Sequence, residues 1–120
     1  MHRDSNGDYI MYYSRQGEPI SMEEWAAIMA EGRSEKGWEA TKRVARTTVG
    51  EWEVSTVWLG LDHSFMEDSP PLIFETMIFG GEWDTECWRY STEAEALEGH
   101  QEAVKLLQLD LAAMEADHGC

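Results

Sequence analysis

Residues 54–81, VSTVWLGLDHSFMEDSPPLIFETMIFGG, limit the possible folds more than any other part of the chain. They read as two strands with apolar groups on both faces, joined by a polar loop. A sheet that is apolar on both sides needs cover on both, from a helix, a second copy of the chain or a bound target. The flanking sequence extends this pair into a meander. RVARTTV at 43–49 and WEVSTVWLGLD at 52–62 carry the β-branched and aromatic residues that suit strands, and Gly50-Glu51 between them suits a tight hairpin. A strand over 72–79 follows Pro70-Pro71, and ECWRYS at 86–91 forms the last one after Gly80-Gly81.

Helical signals lie on both sides of this block. DYIMYY at 8–13 is a short aromatic strand closed by the turn-forming RQGEP of 15–19. Ser21 and Glu24 then have the spacing of a capping box, and Trp25, Ile28 and Met29 make an i, i+3, i+4 stripe ending near Gly32. GRSEKGWEAT at 32–41 lacks a period and holds two glycines, which predicts a loop. A long final helix starts where Ser91 or Thr92 caps an acidic first turn. Its inner stripe is Leu97, His100, Val104, Leu107, Leu111 and Met114. Leu106 and Leu109 sit off that stripe and widen the apolar surface, which fits partial burial in a monomer or a helix-helix contact in a homodimer. These elements predict one α+β domain over residues 1–120, with element order β-α-β-β-β-β-α. It is an antiparallel meander of four to five strands, with a short N-terminal helix and a long C-terminal helix packed on it.

Charge narrows the partners. The chain carries a formal charge of −15, unevenly spread. Residues 1–46 hold seven Lys or Arg against eight Asp or Glu, while 47–120 hold only Arg89 and Lys105 against sixteen acids. Direct nucleic-acid binding is disfavoured, because that affinity comes from cations neutralising phosphates. The acidity either serves only to keep the chain soluble or draws in a partner, and the partner it would attract is a host protein with a basic, nucleic-acid-binding surface. No apolar run approaches the roughly 20 residues of a membrane span, and the N-terminus lacks the apolar core of a secretory signal. The expectation is a soluble protein of the cytoplasm, away from membranes. Cys87 and Cys120 form no disulfide framework and read as free thiols.

Strand register decides which side chains meet. With Gly60 opposite Glu75, one face collects Val57, Leu59, Leu61, Leu72, Phe74 and Ile78 as core. The other collects Trp52, Val54, Thr56, Trp58 and Asp62 beside Ile73, Glu75, Met77 and Phe79. The expected binding surface is therefore Trp52, Trp58, Asp62, His63, Glu75, Met77 and Trp83. Asp62, His63 and Glu75 supply residue types that hold hard metals or act as general bases. Adjacent strand residues point to opposite faces, however, and Glu75 has a simpler partner in Arg89 on the neighbouring strand. His100 stands where the inner helical stripe expects Leu or Ile, so it reads as a partly buried histidine with a hydrogen bond to a strand, the alternative being a site shared with His63 or Glu75. His100 and Arg89 form the expected polar core. No nucleophile elbow, phosphate loop, HExxH or paired CxxC occurs, so no catalytic, cofactor or metal residue is assigned. Among the six tryptophans, Trp38 and Trp83 stand in loop contexts that favour exposure.

VSTVWLGLDH at 54–63, PPLIFETMIFGG at 70–81 and RYSTEAEALEGH at 89–100 resemble a group of small proteins encoded by bacteriophages and prophages. PISMEEWAAIM at 19–29 and RVARTTVG at 43–50 belong to the same pattern, which covers most of the chain up to about residue 104. The resemblance implies a phage-borne protein of the bacterial host cytoplasm and assigns no functional residues. The acidic MEDS at 66–69 stands where that group has a glycine-richer loop. The leading expectation is a non-enzymatic acidic accessory protein that binds a host protein and inhibits a nucleic-acid-binding defence system, in anti-CRISPR or anti-restriction style. The alternatives are a small metal-dependent or acid-base enzyme using Asp62, His63, Glu75 and His100, and a virion or assembly component.

Overall fold

In the computed structural model, which describes residues 2, 3, 6, 7, 9–62 and 69–118, β-branched and aromatic runs form a four-stranded antiparallel sheet. Its strands are β3 (Arg43–Val49), β4 (Trp52–Trp58), β5 (Phe74–Phe79) and β6 (Cys87–Tyr90), in the order β3-β4-β5-β6. The expected meander is present. Gly50, with φ of 58°, supplies the left-handed residue of the β3–β4 turn, and Val49 pairs with Trp52 across it. Before the sheet come β1 (His2–Arg3) and β2 (Tyr9–Ile10), a two-residue pairing much shorter than the strand expected over 8–13. Tyr12 and Tyr13 instead make isolated bridges to Leu61 and Pro19.

Helix α1 (Met22–Glu31) begins on the expected Ser21 cap, Glu24 N–H donating to Ser21 Oγ, while the Glu24 carboxylate accepts from the Ser21 hydroxyl in place of the backbone N–H of a full capping box. The loop expected over 32–41 is instead a second helix, α2 (Glu35–Thr41). Ser34 caps it by accepting from Gly37 N–H, and Trp38 anchors it with the Lys42 ammonium 4.9 Å above its ring. A seven-residue helix is too short to show a period, and tertiary contact completes what the cap begins. The last helix, α3 (Glu93–His118), starts on Thr92, whose hydroxyl accepts from Glu95 N–H.

Register departs from the expectation by three residues. Trp58 faces Phe74, Val57 faces Glu75, Thr56 faces Thr76 and Val54 faces Ile78. The reason is Gly60. Its φ of 70° takes the chain out of the strand, and a Cβ there would collide with both Trp58 and Trp25. Leu59, Gly60 and Leu61 therefore do not continue β4, although their apolar character reads as though they did. Trp52, Val54, Thr56 and Trp58 turn to α3 with Phe74, Thr76 and Ile78, and all seven are buried.

Helix α3 covers that face through Ala96, His100, Ala103, Val104 and Leu107. Leu97, expected inside, is 43% exposed, and Ala96 takes its place. The small side chain lets the helix lie close to Tyr13, Trp58 and Phe74, where Leu97 would hold it off. Leu106 and Leu109 remain exposed. Two apolar clusters result, one of Val49, Trp52, Val54, Ile78, Val104 and Leu107, the other centred on Tyr13, Trp58, Ile73 and Phe74.

Candidate functional site

A row of polar groups runs between these two clusters. His100 is fully buried, with Nε2 2.9 Å from Thr47 Oγ1 on β3 and Nδ1 2.7 Å from Thr56 Oγ1 on β4. Thr56 Oγ1 lies 2.5 Å from Thr76 Oγ1 on β5. The seam spans three strands. One proton order satisfies it: Thr47 donates to Nε2, Nδ1–H to Thr56 and Thr56 to Thr76; the reverse order serves equally. Burial, with the nearby positive charge of Arg43, lowers the pKa of His100, so the imidazole is neutral. Burial raises that of Tyr90. The expected histidine bonded to the sheet is found, fully rather than partly buried. The convergence of Thr47, Thr56 and Thr76 on His100 depends on the register and has no mark in the local sequence.

The opposite face of the sheet has no helix over its middle, where charged and polar side chains cover one another. Arg46 pairs with Glu53, the Arg43 guanidinium donates to Ser55 Oγ at 2.5 Å, and Arg89 Nε donates to Glu75 Oε2 at 3.1 Å. The expected Glu75–Arg89 partnership is present, in register across β5 and β6. It stands on this face and not in a polar core. Met77 lies half-buried between Ser55 and Cys87, and Phe79 is 43% exposed. Helices α1 and α2 cover only one end, where Trp25, Met29, Trp38, Lys42, Leu59 and Leu61 line a groove of about 200 Å³.

The expected binding surface is therefore dispersed. Trp52 and Trp58 are core residues at 5% and 2% exposure, because the true register turns them toward α3. Glu75 and Met77 lie on the opposite face. Asp62 is buried at the end of the sheet, where its carboxylate accepts from Leu72 N–H at 3.0 Å and helps burial raise the pKa of Tyr13. Trp83 is half-buried against the first cluster and donates to Asp110 Oδ2 at 2.9 Å. His63 lies outside the described residues, as does Cys120. Of the four residues considered for an enzyme, Glu75 and His100 are separated by the sheet itself and Asp62 is tied to the backbone. Among the described residues, no group of three or more His, Cys, Asp or Glu could hold a metal ion.

What the fold does gather is surface charge. Glu82, Asp84 and Glu86 are exposed in the connection from β5 to β6, and Glu95, Glu98 and Glu102 recur on the exposed side of α3. Lys105 is the one cation of that helix. Among the described residues the ion pairs are Arg15–Glu93, Arg43–Glu39, Arg46–Glu53 and Arg89–Glu75, so none of these six carboxylates is neutralised by one. No helix among the described residues is long and apolar enough to cross a membrane. Comparison with family models, with curated proteins and with solved structures finds no match for the chain.

Proposed function

We propose that this chain is a non-enzymatic accessory protein that occupies the basic, nucleic-acid-binding surface of a host protein and keeps nucleic acid from it. The observation that carries the reading is the segregation of charge. Arginines of the sheet are paired where they stand, while Glu82, Glu86, Glu95, Glu98 and Glu102 face solvent without an ion pair among the described residues. Such a surface draws in a cationic partner from a distance and holds it against competing phosphates. A phage-borne inhibitor of a host defence nuclease in the bacterial cytoplasm fits both this surface and the resemblance of the sequence blocks.

The test is capture of bacterial proteins by the tagged chain at about 50 mM salt, followed by elution with duplex DNA. Nucleic-acid-binding proteins displaced by the DNA, and lost by about 200 mM salt, are the expected result. Recovery of nothing above background at the lower salt overturns the reading. Reversing Glu95, Glu98 and Glu102 to Lys should slow association at least about tenfold with little change in melting temperature.

A further inference from the structure

β6 ends the sheet, and among the described residues no strand lies on its far side. The Glu86 and Tyr90 carbonyls accept from Ile78 and Ile73 N–H at 3.0 Å each, so these alternate residues turn their backbone groups toward β5. Antiparallel alternation therefore turns the N–H and C=O of Cys87 and Arg89 outward. Such an edge is a template for another strand.

Beside the edge, on the face under α3, lies a groove of about 200 Å³ lined by Trp88, Tyr90, Gly99, Glu102, Ala103 and Leu106. That is comparable with the ~150 Å³ cavity that admits a benzene-sized group. It exists because Ala103 is small and Leu106 tilts off the buried stripe, leaving Trp88 36% and Leu106 39% exposed. Gly99 closes one end, where a Cβ would collide with the Tyr90 hydroxyl. Strand alternation puts Glu86 on the same face as Trp88 and Tyr90, and Glu102 stands beside Tyr90. The groove is thus apolar at its centre, with the exposed Glu102 in its lining and the exposed Glu86 two residues along the strand from Trp88.

We propose that this edge and groove receive an extended segment of a basic protein, added as a fifth strand, with an apolar side chain beside Trp88 and a Lys or Arg two residues to either side. The proposal rests on the reading of the chain as a binder of basic proteins and names the contact. Side chains two apart share a face, so one strand seats its apolar residue in the groove while its cations meet Glu86 and Glu102. A second copy fits worse. Two-fold antiparallel pairing of β6 centred on Arg89 sets Arg89 opposite Arg89, and pairing centred on Trp88 brings Glu86 of each copy toward Tyr90 and Glu102 of the other, so like charges meet. Pairing centred on Cys87 sets Glu86 across from Trp88 and offers no cation to Glu86 or Glu102.

The experiment is an amide NMR titration of the intact chain with the peptide acetyl-SKTLTKS-amide, compared with acetyl-SETLTES-amide and acetyl-SKTSTKS-amide. The first should shift amides of 86–90 and 99–106 and slow hydrogen exchange at Cys87 and Arg89 at least about tenfold. The two controls should do neither. Glu102→Lys and Leu106→Arg, both at exposed positions, should each weaken the peptide at least about tenfold while leaving the remaining spectrum in place. Shifts centred elsewhere, equal binding of all three peptides, or no binding overturns the proposal. So does a dimer of the free protein that Leu106→Arg dissolves. Capture of DNA-binding proteins that survives Leu106→Arg leaves the functional reading standing and removes this edge as its contact; peptide binding at the edge with no such capture does the reverse.

Discussion

The two faces of the central sheet are made from alternate residues of the same strands, yet they are held by different physics. Toward α3, Trp52, Val54, Trp58, Phe74 and Ile78 are buried at 5% exposure or less, and the polar groups among them bond to one another. Away from α3, arginines and carboxylates pair across neighbouring strands at the surface, with Met77 and Phe79 between them. The lesson is that pairing of charges finishes the part of a face that no helix covers, so stability and surface chemistry come from opposite sides of one strand.

Mutations should break that contrast in a graded way. Trp58→Ala removes a fully enclosed ring and should cost about 3–5 kcal/mol in urea unfolding. A value near that of a surface change would mean the two faces are energetically alike. Thr56→Val preserves shape but takes a hydroxyl from between His100 and Thr76, and should cost about 1–3 kcal/mol by the same measurement. Arg89→Ala, on the face away from α3, should cost at most about 1 kcal/mol and lose even that at high salt. Phe79→Ser should stay within about 0.5 kcal/mol.

Acid sharpens the comparison from the buried side. The unfolded imidazole takes up its proton near pH 6.5, whereas folded His100 does so only at lower pH. As pH falls through about 6.5 the unfolded chain therefore binds a proton that the folded chain refuses, and stability drops. Urea melts between about pH 7.5 and 5 should show this loss in the wild type and a flatter profile in His100→Asn. Equal profiles would remove the seam as a source of pH sensitivity.

Much of this was legible from local pattern. The Ser21–Glu24 and Thr92–Glu95 caps, the inward place of His100 and the Glu75–Arg89 pair follow from spacing within one element or between neighbouring strands. The proposed binding edge was not. Trp88 and Leu106 are far apart in sequence, and neither breaks its own element's pattern strongly enough to mark a groove. The α2 helix escaped notice for the opposite reason, since Ser34 and Trp38 were visible but seven residues carry too little period.

By itself the sequence determined the α+β class, the meander, the helices α1 and α3 that flank it and the imbalance of charge, because each depends on residue type and short-range periodicity. Tertiary structure decided which strand face became core. Both faces of β4 are apolar enough to serve, so alternation alone leaves the register open. The left-handed turn at Gly60, the demand of Trp58 and Phe74 for burial, and the fit of Ala96 against them settle it over long range. From that one choice follow the Thr47–His100–Thr56–Thr76 seam, the charged face opposite and the groove beside β6.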